Sequence, residues 1–424
     1  MKLIKTISRT PLFKITSLNS VSVVLKIGSG LITSKLLAVF VGPGGMALVG
    51  NLRNFLTAVE TVSTLGFQNG VVKYIVANKS NEKELQRIIA TVFFSLIVAS
   101  LLLSGLLFVF ASFWNEMVFG HNYEYVAIFK ILALALPWYA VSVILLAAIN
   151  GLGKFKNVIR INIVGNIIGL LFSAIMILNF STFGALLSIV IPPALLFFVT
   201  FHHINKEIHF TAALSLRLFD TQVIRDLSAY SLMTLVSSLC GPLVFLAIRS
   251  NIIANLGVEQ AGFWEAINRL STYYLMFIST ILSLYFFPKL AFATSTKATK
   301  NVFRSYYFGT LPLFIIGLAI LYFLRVYVVK TLFTHDFLPM ADLFLWQLTG
   351  DLFKAASLIL GYQFFAKKLT VAFIATEVFS LSLMYVFSFY FIDEFGIEGV
   401  VMAHALTYFI YLLVLGTYFR KQLF

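Results

Sequence analysis

The stretch "LVGNLRNFLTAVETVSTLGF", residues 48–67, is apolar enough to lie in a membrane, yet it carries two ionisable side chains, Arg53 and Glu60. On a helix, Arg53, Thr57, Glu60 and Thr64 follow the spacing i, i+4, i+7, i+11 and form one stripe. A charge near the bilayer centre costs about 2.5–3.5 kcal/mol on insertion scales. We therefore expect this stripe to face protein or a water-filled cavity rather than lipid.

The composition of the whole chain is that of a polytopic membrane protein. Of its 424 residues, 60% are hydrophobic and 11% are charged, with a mean hydropathy of +0.95, whereas soluble proteins typically carry about 25% charged residues. The single cysteine, Cys240, excludes an internal disulfide framework. The sequence has no Cys/His cluster, and "GLGKFK" (151–156) lacks the leading Gly and the Ser/Thr of a phosphate-binding loop. We therefore expect no metal site, no cofactor and no ATP-driven pumping.

Twelve stretches reach the length of about 20 residues that a helix needs to cross the hydrocarbon. The predicted spans are 17–41, 47–76, 86–112, 126–150, 157–179, 183–204, 226–252, 259–288, 302–325, 340–366, 370–391 and 396–419. The first is interpreted as a retained helix, since no small-residue cleavage site interrupts it. The polar stretch 205–225 is predicted to be a cytoplasmic linker between an N-terminal lobe, 1–204, and a C-terminal lobe, 226–424.

The distribution of Lys and Arg predicts the orientation. If the N-terminus is cytoplasmic, most of the 31 basic residues lie on that side, and the opposite loops are mainly acidic. Both termini are therefore predicted to be cytoplasmic. The net charge of +14 follows from this bias, so nucleic-acid binding is not needed to explain it.

A constant offset in residue number relates the two halves of the chain. The same shift places Gly42 on Gly257 and Gly184 on Gly399. Because six predicted helices precede the linker and six follow it, both halves enter the membrane from the same side. This pattern predicts an all-α fold with two parallel six-helix lobes around a central cavity, which is typical of alternating access.

Ten charged residues inside the predicted spans are not at the very ends of their helices. Lys35 and Arg249 are close enough to the periplasmic ends for their long side chains to reach the interface. The remainder are four cations and four acids: Lys26, Arg53, Arg269, Lys354, Glu60, Glu265, Asp351 and Glu377. Glu265–Arg269 and Asp351–Lys354 have helical spacings at which they can neutralise one another. Glu60 either partners Lys26 or titrates, and both interpretations stay open.

The N-terminal lobe is thus predicted to line a positive cavity, which favours an anionic substrate. Guanidinium and ammonium groups suit phosphate oxygens, so Arg53, Lys26 and Arg269 are candidate ligands. Asn51, Asn69 and Trp346 would suit sugar hydroxyls and ring faces, although lipid or core packing of the aromatic residue stays open.

Four segments resemble the Wzx flippases, and the resemblance extends over essentially the whole chain. They are "LKIGSGLITSKLLAVFVGPGGMALVGNLRNF" (25–55), "GFQNGVVKYIVA" (66–77), "GFWEAINRLS" (262–271) and "WQLTGDLFKAASLILGYQFFAKK" (346–368). The resemblance implies the twelve-helix, MATE-like fold of the multidrug/oligosaccharidyl-lipid/polysaccharide exporter superfamily. It also implies an inner-membrane protein that moves an undecaprenyl-diphosphate-linked oligosaccharide, of the enterobacterial common antigen or O-antigen type, to the periplasmic leaflet. A polysaccharide polymerase and a chain-length regulator are the implied protein partners.

The resemblance also assigns residues. Lys26, Arg53 and Lys73 match motif positions and are expected to bind substrate. Asp351 and Lys354 match "GDLFK" and, with Glu60, are the candidates for coupling transport to an ion gradient.

Two other functions fit the sequence less well. A multidrug antiporter of the same superfamily would need unpaired acids in its cavity, whereas the stripes of the N-terminal lobe are more basic than acidic. A membrane enzyme such as a polymerase or ligase would need chemistry in a large periplasmic loop. The largest such loop, 325–339, offers only Arg325, His335 and Asp336. We therefore expect a transporter and not an enzyme.

Overall fold

The computed structural model describes residues 11–121, 123–205 and 215–423, without the side chains of 11–18, 229, 230, 232, 233 and 237. Residues 206–214 of the predicted linker 205–225 and the cations at positions 2, 5 and 9 lie outside the described residues.

The described residues before the linker are helical almost throughout. The helices are α1 (Pro11–Phe40), α2 (Gly42–Ser63), α3 (Gln68–Ala77), α4 (Glu82–Val109), α5 (Ala111–Phe119), α6 (Val126–Gly151) and α7 (Phe155–Asn205). Helix α7 consists of two helices joined at Ser181, whose backbone is non-helical (φ 47°, ψ −125°).

The second half begins with a 3₁₀ turn, Leu216–Leu218, and also contains two π-helical turns. Its helices are α8 (Thr221–Leu256), α9 (Val258–Ile281), α10 (Phe287–Phe292), α11 (Thr296–Ser305), α12 (Leu311–Phe323), α13 (Arg325–Leu332), α14 (Phe344–Ala366), α15 (Thr370–Phe395), α16 (Ile397–Tyr418) and α17 (Arg420–Leu423). The π turns are Leu282–Phe286 and Tyr306–Thr310, and a 3₁₀ segment, His335–Leu343, precedes α14.

The predicted all-α membrane fold is confirmed. The described residues contain no strand, and ten of their helical segments are long and apolar enough to cross a membrane. These ten are consistent with the twelve predicted spans for two reasons. Helix α7 is one 51-residue segment that covers two predicted spans. The predicted span 47–76 is divided into α2 and α3 by a turn in which Gly66 has a φ of +63°.

The predicted constant offset is confirmed by where the helices break. Left-handed φ angles recur at this spacing in three pairs, Gly42 and Gly257, Gly153 and Lys368, and Ser181 and Gly396. The ends of α6 and α14 are related by the same shift, and so are the starts of α7 and α15. A residue with a positive φ stops an α-helix, because the helix requires φ near about −63°. Glycine is common at such stops because it adopts a positive φ without the steric cost that a side chain brings. The two halves therefore share a sequence of helix stops.

The chain forms two compact units. Unit 1 comprises Asn51–Leu243 and the chain up to Thr33, and unit 2 comprises Ser34–Gly50 and Val244–Phe424. Unit 1 has a core of aliphatic side chains that includes Ile88 and Ile149. The core of unit 2 is more aromatic and includes Trp264, Phe344 and Phe364. Because the unit boundaries fall inside α1, α2 and α8, the predicted lobes 1–204 and 226–424 stay a prediction.

Candidate functional site

The stripe on α2 carries two charged side chains that are half-buried in unit 1, Arg53 and Glu60. The two threonine hydroxyls of the same stripe are occupied by their own helix, since Thr57 Oγ1 donates to Arg53 O at 3.0 Å and Thr64 Oγ1 donates to Glu60 O at 2.9 Å. The Glu60 carboxylate is hydrogen-bonded to the hydroxyl of Tyr139 on α6. The observed partner of Glu60 is therefore Tyr139, a residue that local spacing could not have indicated.

Three other predicted ligands in unit 1 have exposed side chains: Lys26 on α1, and Asn69 and Lys73 on α3. Asn69 Nδ2 donates to Thr234 Oγ1 of α8 at 3.2 Å. Together with the half-buried Arg53, Lys26 and Lys73 place three of the predicted ligands of α1–α3 where they are exposed or half-buried. Exposed and half-buried cations of this kind attract an anionic ligand.

Asn51 differs from these residues because it is only 1% exposed. Its Nδ2 donates to Val118 O at 2.8 Å, which joins α2 to the end of α5. Its amide group therefore holds two helices together in this structure, and a sugar hydroxyl would have to displace this contact.

In unit 2, four side chains converge on the carboxylate of Asp351, which is 0% exposed. Ser271 Oγ and Gln347 Nε2 donate to Oδ2 at 2.6 and 3.2 Å, and the Tyr274 hydroxyl donates to the same oxygen. His404 Nε2 lies 3.1 Å from Oδ1. The sequence analysis predicted none of these four partners. Only Gln347 lies on the same helix as Asp351, four residues before it, where helical spacing could have indicated the contact.

Lys354, the predicted partner of Asp351, lies one turn along α14. Its ammonium sits 4.9 Å from the ring centroid of Tyr408 on α16, and it acts on Asp351 and Glu377 electrostatically. Trp346, a predicted sugar-stacking residue on the same helix, is 38% exposed.

A second buried cluster in unit 2 joins one acid to two arginines. Glu265 Oε1 accepts from Arg269 Nε at 2.8 Å, and Glu265 Oε2 accepts from Arg249 Nη2 at 2.6 Å. The predicted Glu265–Arg269 pair is thus confirmed, and Arg269 is buried in it. The expectation that Arg249 reaches the interface is wrong: its guanidinium pairs with Glu265 and lies 5.1 Å from the Trp264 ring centroid.

The glycine at position 50 makes room for this cluster. A Cβ atom on Gly50 would lie 2.5 Å from Glu265 Oε2 and 2.9 Å from Arg249 Cζ. The backbone of α2 therefore packs directly on the ion pairs.

Comparisons with known proteins agree with this description. Residues 12–293 match the family model described as polysaccharide biosynthesis protein. The chain is 29% identical over 391 residues to the lipid III flippase of Escherichia coli (strain K12), covering 92% of this chain and 94% of that protein.

Two solved structures share the fold. The lipid II flippase MurJ, in an inward closed conformation, matches with a TM-score of 0.76 and 15% identity, covering 96% of this chain and 87% of that one. A multidrug resistance MATE family transporter of the MOP superfamily, in an inward-facing conformation, matches with a TM-score of 0.73 and 13% identity, covering 95% and 94%. The chain is a multi-pass membrane protein with the fold of these transporters, and it belongs to the polysaccharide biosynthesis protein family.

Proposed function

We propose that this protein is a flippase that moves an undecaprenyl-diphosphate-linked oligosaccharide repeat unit, of the enterobacterial common antigen or O-antigen type, from the cytoplasmic to the periplasmic leaflet. The observation that carries this proposal is the full-length similarity to a lipid III flippase, which covers 92% of the chain. The fold shared with another lipid-linked glycan carrier, a lipid II flippase, supports it.

The cations of α1–α3 are the proposed contacts for the diphosphate. Arg53 offers a planar guanidinium that can bind phosphate oxygens in a bidentate way, and Lys26 and Lys73 add compact positive charges. Asn69, which is exposed on α3, can serve a sugar hydroxyl. Because these groups are exposed or half-buried, a diphosphate can reach them while the polyprenyl chain stays in lipid.

The transport cycle proposed here is alternating access of the lobes 1–204 and 226–424, without enzymatic chemistry. Glu60, Asp351 and Lys354 are the proposed coupling residues. The substrate implies an inner-membrane protein that acts before a polysaccharide polymerase and a chain-length regulator. The distribution of Lys and Arg predicts that both termini lie in the cytoplasm. The likeness to a MATE transporter, at 13% identity, concerns the fold, so multidrug antiport is the weaker alternative.

Replacing Arg53 tests the proposal. We expect Arg53→Ala to reduce delivery of the glycolipid to the outer leaflet at least tenfold, since a hydrogen bond to a charged group contributes about 1.5–3 kcal/mol. Lys26→Ala should reduce it by a smaller factor. Delivery is measured in proteoliposomes as the fraction of undecaprenyl-diphosphate-linked glycan that an added, impermeant glycosidase can cleave.

The matched control is Asn268→Ala, which changes the residue that the constant offset pairs with Arg53. The Asn268 Nδ2 donates to Trp264 O at 2.8 Å within its own helix, so its removal should change delivery less than twofold. Normal delivery by both Arg53→Ala and Lys26→Ala, at equal protein amounts, would overturn the cationic site. Failure of the wild-type protein to deliver the glycolipid would overturn the flippase proposal.

A further inference from the structure

The ends of the two units that are predicted to lie in the cytoplasm differ in their acidic residues. In unit 1, Arg87 pairs with Asp220 and, at 3.5 Å, with Glu84. In unit 2, the segments at this end contain eight Lys or Arg residues and no Asp or Glu. These segments are 282–312, 362–376 and 414–424. The positive-inside bias accounts for the cations of both units, but it does not require that one unit lack acids. The charge of unit 2 is therefore open to an anion that these segments do not supply as a side chain.

Two helices at this end of unit 2, α11 and α17, are packed together. Phe303 of α11 and Phe419, which directly precedes α17, are both buried, and their ring centroids lie 6.5 Å apart. Four exposed cations on these helices form a surface that we name the basic patch: Lys297 and Arg304 on α11, Arg420 and Lys421 on α17. Because the two α11 cations are seven residues apart, they lie on one face of that helix.

An apolar surface begins directly beside the basic patch. Arg304 Cζ lies 5.7 Å from the ring centroid of Phe308, and this side chain is 76% exposed. Helix α12, which follows, exposes only apolar residues, among them Leu313 and Phe323. Both helices belong to one candidate membrane span, Thr296–Phe323. The basic patch therefore lies where this span leaves the hydrocarbon, at the level of the lipid headgroups.

The chemistry of this surface fits a lipid with an anionic headgroup. Guanidinium and ammonium groups bind phosphate oxygens, and each Lys or Arg near an anionic membrane surface strengthens binding about fivefold. A phospholipid contacts both parts of the surface, since its phosphate reaches the cations while its acyl chains cover Phe308. A soluble acidic protein would contact the cations alone.

The exposed face of α12 also separates this ligand from the proposed substrate. A diphosphate that crosses the membrane needs polar groups along its route, because charge is costly in the hydrocarbon. No exposed side chain of α12 is polar. The ligand of the basic patch therefore stays in its own leaflet, whereas the proposed contacts of the transported diphosphate lie on α1–α3.

We propose that the basic patch binds the headgroups of anionic phospholipids, such as phosphatidylglycerol, in the leaflet that is predicted to be cytoplasmic. The bound headgroups supply the negative charge that the segments around the patch lack. They also hold α11 and α17 at the membrane surface. This site is separate from the one proposed for the substrate.

Lipid binding to the full chain in detergent tests this site, measured by native mass spectrometry with phosphatidylglycerol and the zwitterionic phosphatidylethanolamine as probes. We expect the wild-type protein to bind phosphatidylglycerol at least fivefold more tightly than phosphatidylethanolamine. The double variant Lys297→Ala/Arg304→Ala should lower the affinity for phosphatidylglycerol at least fivefold and that for phosphatidylethanolamine less than twofold.

The matched control is Lys79→Ala/Lys83→Ala, which removes two exposed cations of unit 1 that have Glu82 between them. It should change the affinity for phosphatidylglycerol less than twofold. A second double variant, Arg420→Ala/Lys421→Ala, lies outside the predicted spans, so it keeps the test decisive if the α11 variant fails to fold. It should also lower the affinity for phosphatidylglycerol at least fivefold.

Undecaprenyl diphosphate, used as a third probe, separates the basic patch from the substrate surface. Both patch variants should bind it within twofold of the wild-type protein, whereas Arg53→Ala should bind it more weakly. Equal affinity of the wild-type protein for the two phospholipids, or unchanged affinity for phosphatidylglycerol in both patch variants, would overturn the proposed site. Loss of undecaprenyl diphosphate binding in the patch variants would overturn it as well, by assigning the patch to the substrate. Failure of the wild-type protein to deliver the glycolipid would instead overturn the flippase function and leave the phospholipid site standing.

Discussion

The two halves of the chain have equivalent helix breaks and different charged residues. Gly42 and Gly257, which the constant offset pairs, both stop a helix with left-handed φ angles. The charged residues inside the predicted spans are not repeated at the same offset. The non-equivalent pairs at that offset are Arg53 and Asn268, Gly50 and Glu265, Leu136 and Asp351, and Tyr139 and Lys354.

This difference separates what the fold requires from what function requires. The helix breaks must recur, since they determine where each helix turns back across the membrane. The charges need not recur, because each charge acts on the partner or ligand near it and not on where the helices turn. In α1–α3 the cations are exposed or half-buried, as a ligand surface requires. In unit 2, Asp351 and the pair Glu265–Arg269 are buried in closed networks, as a coupling or structural element requires.

The comparison is tested most severely at two glycines that the offset also pairs, Gly184 and Gly399. A Cβ atom on Gly184 would overlap the carbonyl oxygen of Met176, and one on Gly399 would overlap that of Phe391, the equivalent of Met176. Because the backbone must shift to remove this overlap, we expect Gly184→Ala and Gly399→Ala each to lower the free energy of unfolding by more than about 4 kcal/mol. The yield of folded protein should then fall at least tenfold. The measurement is the monodisperse fraction after detergent extraction.

The control for these variants is Gly361→Ala in α14, where nothing lies within 4 Å of a new Cβ; it should fold as wild type. If one of the two glycines tolerates alanine and the other does not, the halves would differ at this turn, and the equivalence of their breaks would be limited.

Gly50 is a position at which the two halves carry different residues, since the constant offset pairs it with Glu265. Gly50→Ala would force the new Cβ against Glu265 and Arg249. Overpacking typically costs about 1–3 kcal/mol, and we expect a loss of about 2–3 kcal/mol because the displaced groups are buried ions. Thermal unfolding in detergent measures it, with Gly28→Ala as control, since nothing lies within 4 Å of its Cβ. Equal melting temperatures for Gly50→Ala and Gly28→Ala would show that α2 does not pack directly on the ion pairs.

Much of the fold could be predicted from the sequence because its signals are local. Apolar stretches of sufficient length predicted the spans, and glycines at a constant offset predicted the repeat of helix breaks. The Glu265–Arg269 pair was predictable for the same reason, since its members lie one helical turn apart on α9. The break between α2 and α3 was missed because hydropathy continues through Leu65 and Gly66.

The candidate site was less predictable because its partners lie on different helices. Arg249 is 16 residues from Glu265, beyond helical spacing, so the sequence indicated only a long side chain near a helix end. His404 is 53 residues from Asp351, and no local pattern relates them. The sequence did not indicate Tyr139 as the partner of Glu60, because a single tyrosine in an apolar helix cannot be distinguished from the apolar residues that pack around it.

The smallest expected effect concerns Lys368, where the two halves share a conformation but not a residue type. Lys368 has a φ of 56° and is exposed, and its equivalent Gly153 has a φ of 78°. An L residue in the left-handed region costs about 1–2 kcal/mol, and glycine avoids that cost. We expect Lys368→Gly to raise the free energy of unfolding by about 0.5–1 kcal/mol, and Gly153→Lys to lower it by a similar amount, with glycolipid delivery unchanged in both. If Lys368→Gly instead destabilises the protein, the positive charge after the C-terminus of α14 contributes more, through the helix dipole, than the strained backbone costs.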